Sequence, residues 1–159
     1  MQRNQRGFTL IEITAVLVLM AIISAYVIGR SIGTEQISLA AQTDKIRNQI
    51  RYAQATAMKR SDAIWGITCN NNQYWMFKTN PAAPEVLPGE QNAQINLAGQ
   101  GINMSNFILF FDRFSRPYDA YTDETNNNPL PGPLDINITL AGGGQSRTIR
   151  VIPETGLVQ

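Results

Sequence analysis

FTLIEITAVLVLMAIISAYVI, residues 8–28, governs the reading of the whole chain. It holds one charge, Glu12, and as a helix at about 1.5 Å per residue it spans roughly 30 Å, the thickness of a bilayer's hydrocarbon core. The length predicts a membrane segment. A bare carboxylate one turn inside such a segment costs on the order of 3 kcal/mol, so Glu12 calls for a partner. A cut between Gly7 and Phe8 supplies one: it frees an ammonium at Phe8, one helical turn before Glu12 and near it on the same face. The amine can come from the same chain or from a neighbour. An acid in the first turn is also favoured by the helix dipole. Gly7 offers a peptidase an unhindered scissile bond, and the basic leader MQRNQRG stays on the cytoplasmic side.

Two plainer readings of this stretch exist. A secretory signal peptide cut near Ser24-Ala25 accounts for the basic start but makes Glu12 a costly accident in the hydrophobic region. An uncleaved membrane anchor is the other. The run Arg6-Gly7-Phe8-Thr9-Leu10-Ile11-Glu12, with its apolar continuation to Ile28, resembles the prepilin signature of type IV pilins and type II secretion pseudopilins. The motif is specific because glycine, aromatic and buried acid coincide with a short basic leader and a membrane-length run. The resemblance implies that a prepilin peptidase/N-methyltransferase cuts after Gly7 and methylates the new N-terminal Phe8. It implies that Glu12 is an intramembrane carboxylate serving assembly. The implied partners are homologous pilin or pseudopilin subunits and an inner-membrane assembly platform, with lipid held through residues 8–28. The implied location is the bacterial inner membrane, single-pass with the C-terminal head in the periplasm, and then a pilus or pseudopilus filament.

Of the 159 residues, subtracting leader and membrane run leaves one small soluble domain. The net charge is +1, and loss of Arg3 and Arg6 with the leader turns it into −1. No nucleic-acid partner is expected of so neutral a chain. The sequence has no histidine, which excludes Ser-His-Asp catalysis and histidine-based zinc sites. No catalytic residue, cofactor or metal is expected, and the chain is read as a substrate rather than an enzyme. Cys69 is alone and closes no intrachain disulfide, unlike the C-terminal loop of many major type IV pilins.

The expected organisation is a leader at 1–7, a membrane or filament-core helix at 8–28, its amphipathic continuation at 29–60 and a β-rich head at 61–159. Gly29 and Gly33 mark either a bend or local melting at the water interface, or a helix that tolerates both. Leu39, Thr43, Ile46, Ile50, Ala53 and Ala57 recur at spacings of four and three, one stripe of a helix, with Asp44, Lys45, Arg47, Asn48 and Arg51 largely off it. Phe8 to about Arg60 thus reads as one nearly continuous helix.

Beyond Arg60 the period shifts towards two. Ile64–Cys69 and Tyr74–Lys78 read as a hairpin around Asn70-Asn71-Asn72. Residues 80–94 and 116–133, rich in Pro, Gly and polar side chains, read as exposed loops. The oxygen-rich second loop invites a calcium reading, though its spacing fits no EF-hand. Ile95–Leu97 and Phe107–Phe111 are strand candidates, the latter central to the core. Leu134, Ile136, Ile138 and Leu140 alternate with polar residues. Gly142-Gly143-Gly144 then permits a reversal, and Ile149 and Val151 alternate again. The fold class expected is α+β: a long N-terminal helix packed by its second half on antiparallel sheets.

A second, softer resemblance lies in LAAQTDKIRNQIRYAQATAMKRS, FDRFSRP and the terminal RTIRVIPETGLV. These are similar to H-type minor pseudopilins and to minor pilins of mannose-sensitive haemagglutinin pili, with Ser115 where a glycine is expected. The function implied is a minor subunit of a type II secretion pseudopilus or type IV pilus. One alternative is a minor pilin of a DNA-uptake or adhesion pilus. From another class, the alternative is a membrane-anchored periplasmic binding protein with no filament role.

Overall fold

The helical period read between Leu39 and Ala57 is realised in α1 (Leu10–Lys59). The computed structural model describes residues 9–60, 63–123 and 125–159, the side chains of 27–37 apart. Gly29 and Gly33 fall within the helical backbone of α1. The chain divides into two units, Met1–Ile37 and Ser38–Gln159.

In the second unit every residue of the predicted stripe is buried: Leu39, Thr43, Ile46, Ile50, Ala53 and Ala57 are each no more than 2 % exposed. Asp44, Lys45, Asn48 and Arg51 stay in water, and Arg47 is half-buried. Two buried polar side chains of this part of α1, Thr43 and Gln49, are hydrogen-bonded. The Thr43 hydroxyl donates to the Leu39 carbonyl at 2.7 Å. Gln49 accepts from the Tyr74 hydroxyl and donates to Glu90 Oε1, both at 2.7 Å. A buried amide with both ends paired adds order without a desolvation penalty.

Ten strands follow in the described residues: β1 (Trp65–Asn70), β2 (Gln73–Lys78), β3 (Pro84–Glu85), β4 (Ile95–Asn96), β5 (Ile102–Met104), β6 (Phe107–Phe111), β7 (Pro117–Tyr121), β8 (Asn127–Pro129), β9 (Leu134–Leu140) and β10 (Ser146–Val151). The larger sheet runs β3-β2-β1-β6-β7-β8, with β4 also on β2, and the smaller runs β10-β9-β5. All pairings are antiparallel, so the class is α+β as expected. The main core joins Ile46, Ile50 and Ala53 of α1 to Ile67, Leu109 and Phe111 of one sheet and Ile136, Ile138, Ile149 and Val151 of the other.

The first hairpin closes as a two-residue turn, with Asn70 opposite Gln73 and both Asn71 and Asn72 at positive φ. Asparagine tolerates that region, and the resulting twist matches the strands. Two expectations need correction. Residues 116–133 are not one loop, because β7 and β8 pair there and extend the larger sheet. Their polar sequence hides the strands, which are fixed by pairing, β7 to β6 and β8 to β7, rather than by propensity. Residues 80–94 include β3, a fully buried Leu87, and Glu90, which Lys45 of α1 holds at 2.6 Å.

Candidate processing and assembly site

The helix begins where its sequence supplies a cap. Thr9 stands just outside α1; its carbonyl accepts from Glu12 N at 3.0 Å and its hydroxyl lies 3.4 Å from the same nitrogen. Thr9-Leu10-Ile11-Glu12 is a T-x-x-E capping sequence, and it puts Glu12 in the first turn where the dipole favours an acid. Thr9 is a capping position that the charge pattern alone does not single out; the T-x-x-E spacing is the signal that finds it. Gly7 and Phe8, the expected cleavage and methylation positions, lie outside the described residues, so only the acid of the expected pair is described.

Beyond the cap, the described side chains of the apolar run are largely exposed. Leu10 is 82 % exposed and Ile11 76 %, and Ile13, Val16, Leu17, Val18, Leu19, Met20, Ile22 and Ile23 are all at least half exposed. Five consecutive residues, Val16 to Met20, are apolar and exposed, so they cover the helix on every face. A surface like this is hidden by lipid or by protein, since water disfavours it at about 25 cal/mol per Å². Among the described residues no helix is long and apolar enough to cross a membrane. The described side chains of the run stop at Tyr26, and a span takes about 20 residues.

The head brings together the three segments behind the softer resemblance. Gln54 of α1 donates through Nε2 to Ser115 Oγ at 2.5 Å and to the Gly156 carbonyl at 2.9 Å. Ser115 sits at φ +72°, the left-handed conformation that explains why a glycine is expected there. Its turn is held by Asp112, whose carboxylate accepts from Phe114 N and Arg116 N at 2.8 Å, Arg116 Nε at 2.9 Å and the Tyr118 hydroxyl at 3.0 Å. Gly156, at φ +65°, is pressed so closely that a Cβ would stand 2.2 Å from the Ser115 carbonyl oxygen. The chain end is tied down by Arg51, which donates to the Val158 carbonyl at 2.7 Å, and by paired backbone bonds between Arg150 and Gln159. Gln54→Ala should cost about 1–3 kcal/mol by stranding two part-buried acceptors, read as a fall of roughly 4–10 °C in the melting temperature of the full chain. An unchanged melt would show that the junction is held by packing alone.

The oxygen-rich loop carries no calcium geometry among the described residues, and no group of three or more acidic, histidine or cysteine side chains converges there. Asp123 turns inward on its own loop, accepting from Thr125 N at 2.8 Å, Asn126 N at 2.7 Å and Asn126 Nδ2 at 2.9 Å. Those donors hold its carboxyl below the usual range, the Asn126 side chain most of all. Cys69 is buried on β1, and desolvation pushes its thiol up from 9.0 to about 11.

Residues 2–28 match the family described as the Prokaryotic N-terminal methylation motif. No curated protein and no solved structure matches the chain significantly. The matched residues contain Gly7, Phe8 and Glu12 and support a type IV pilin-like or pseudopilin subunit.

Proposed function

We propose that this chain is a prepilin, cut between Gly7 and Phe8, methylated on Phe8 and assembled through its N-terminal helix into an envelope-spanning filament as a minor pseudopilin or minor pilin. The observation that carries the reading is a coincidence at one place. The methylation motif covers an apolar run of helix whose described residues are exposed on every face and whose one acid, Glu12, lies in the first turn. Such a helix can lie in the inner membrane before assembly and against sister helices afterwards, while the head stays in the periplasm. Its partners are then the prepilin peptidase, the assembly platform and homologous subunits, and no catalysis is asked of it. The Gln54 junction favours the minor-subunit form, because it unites the helix, FDRFSRP and PETG segments on which the H-type and mannose-sensitive haemagglutinin likeness rests.

Intact-mass and N-terminal analysis of protein extracted from membranes tests the proposal. The expected result is a mature chain starting with N-methyl-phenylalanine at Phe8. A terminus near Ala25, or a retained Met1, overturns it.

A further inference from the structure

The turn between β6 and β7 carries two arginines around one exposed ring. Phe114 is 62 % exposed, and the guanidiniums of Arg113 and Arg116 lie over it, 4.8 and 5.5 Å from its centre. Arg116 gives its backbone N–H and its Nε to Asp112, at 2.8 and 2.9 Å, so the guanidinium is held in place from one side. Its Nη1 and Nη2 carry no hydrogen bond among the described residues, and the Arg116 side chain is 57 % exposed against 5 % for Asp112. The acid faces the protein, where four donors satisfy it, and the cation faces water.

These groups line a surface cavity of about 290 Å³. The turn supplies Asp112, Arg113, Phe114 and Arg116, and the β7–β8 pair supplies the rings of Tyr118 and Tyr121 with Asn127 and Pro129. Asp123, just after β7, accepts from Thr125 and Asn126 and does not line it. Pockets for whole small molecules run from about 300 Å³ upward, so this one sits at their lower bound and is ample for a single side chain. Its chemistry selects an anion. A guanidinium whose Nε is occupied still grips a carboxylate end-on, through Nη1 and Nη2 in two parallel bonds. Arginine beside aromatic rings is also the composition of interface centres.

We infer that this cavity receives an aspartate or glutamate side chain of a partner protein, its carboxylate on Arg116 Nη1 and Nη2 and its stem against Phe114. Asp112 has already ordered the guanidinium, so less freedom is lost on binding. A nucleic-acid strand repeats its phosphates and needs a row of cations, which suits a chain of net charge +1 poorly. The inference stands apart from the filament reading, because it needs only an acidic partner chain.

The test is side-chain NMR of the full chain in dodecyl-maltoside micelles, following Arg116 Nε–H and the Phe114 ring, with Nα-acetyl-glutamate-N-methylamide as the probe. Saturable shifts at both groups are expected, at least about tenfold weaker with the glutamine analogue, which offers a neutral acceptor. Arg116→Lys keeps the charge and a donor for Asp112 but has no second prong, and should also bind at least about tenfold more weakly. Phe114→Ala should lose at least about threefold, read at Arg116 Nε–H, and melt like the parent because the ring is exposed. Equal responses to the glutamate and glutamine probes, or unchanged affinity in either variant, overturn the proposal. Should Arg116→Lys fail to fold, Phe114→Ala decides alone. Tighter binding of thymidylyl-thymidine, a dinucleotide with the same single charge, would assign the cavity to nucleic acid and overturn it as well.

Discussion

Gly66→Ala should strongly destabilise the head, by adding a single methyl group where no space is left for it. Gly66 lies in β1, opposite Phe77 on one side and Phe110 on the other. Those two rings meet edge to face at 5.0 Å, and the Phe77 ring lies over the glycine, filling the space a side chain would take. An added Cβ would stand 2.3 Å from Phe77 Cζ and 2.4 Å from the Leu109 carbonyl oxygen. The ring can swing, at the expense of the Phe77–Phe110–Tyr118 cluster; the carbonyl belongs to the paired β6 backbone and cannot yield alone. Overpacking of this kind costs about 3 kcal/mol or more, roughly 10 °C in the melting temperature of a domain this size. Gly142→Ala is the control, since a Cβ there meets nothing within 4 Å. It should melt like the parent. Similar melts for both variants would mean that β1 and β6 do not approach as closely as the register requires.

The contrast between those glycines is also a contrast in what a sequence reveals. The stripe from Leu39 to Ala57 is legible because helical burial repeats along the chain, and β9 and β10 because strand burial alternates along it. Phe107–Phe111 announces itself by apolar density and forms β6, flanked by β1 and β7. Nothing local marks Gly66 as a contact, because its neighbours arrive from β2 and β6. The β7–β8 hairpin is hidden for the same reason: PYDAY is a strand because β6 offers it an edge, and NNP because β7 then offers the next.

The candidate site divides in the same way. Gly7, Phe8 and Glu12 are proposed from the sequence because they lie close together in the chain, and of the three only Glu12 is among the described residues; the Thr9 cap is readable by the same spacing. Gln54 is not, since its acceptors lie 61 and 102 residues away.

Glu12→Val should leave membrane insertion and cleavage at Gly7-Phe8 intact while sharply reducing entry into the filament. Insertion is favoured by a more apolar helix, and the peptidase acts on the other side of Phe8. Assembly differs, because the helices then pack against one another and a carboxylate without a counter-charge stays buried. On the proposed reading, pairing with the Phe8 ammonium of an adjacent subunit relieves that penalty and fixes the axial offset. Breaking such a pair costs about 3–5 kcal/mol, which is more than a hundredfold in incorporation. The capping geometry offers a rival account, since Glu12 closes the T-x-x-E sequence with Thr9. Two further variants separate them. Glu12→Gln keeps a side chain able to serve the cap but has no charge, and Thr9→Ala removes the cap and keeps the charge. Cross-linking to partner subunits in membranes, at matched protein levels, should fall for Glu12→Val and Glu12→Gln alike and hold for Thr9→Ala. If Thr9→Ala fails as badly as Glu12→Val, the acid acts by starting the helix. If Glu12→Val cross-links like the parent, the charge has no part in assembly and the helix is an anchor only.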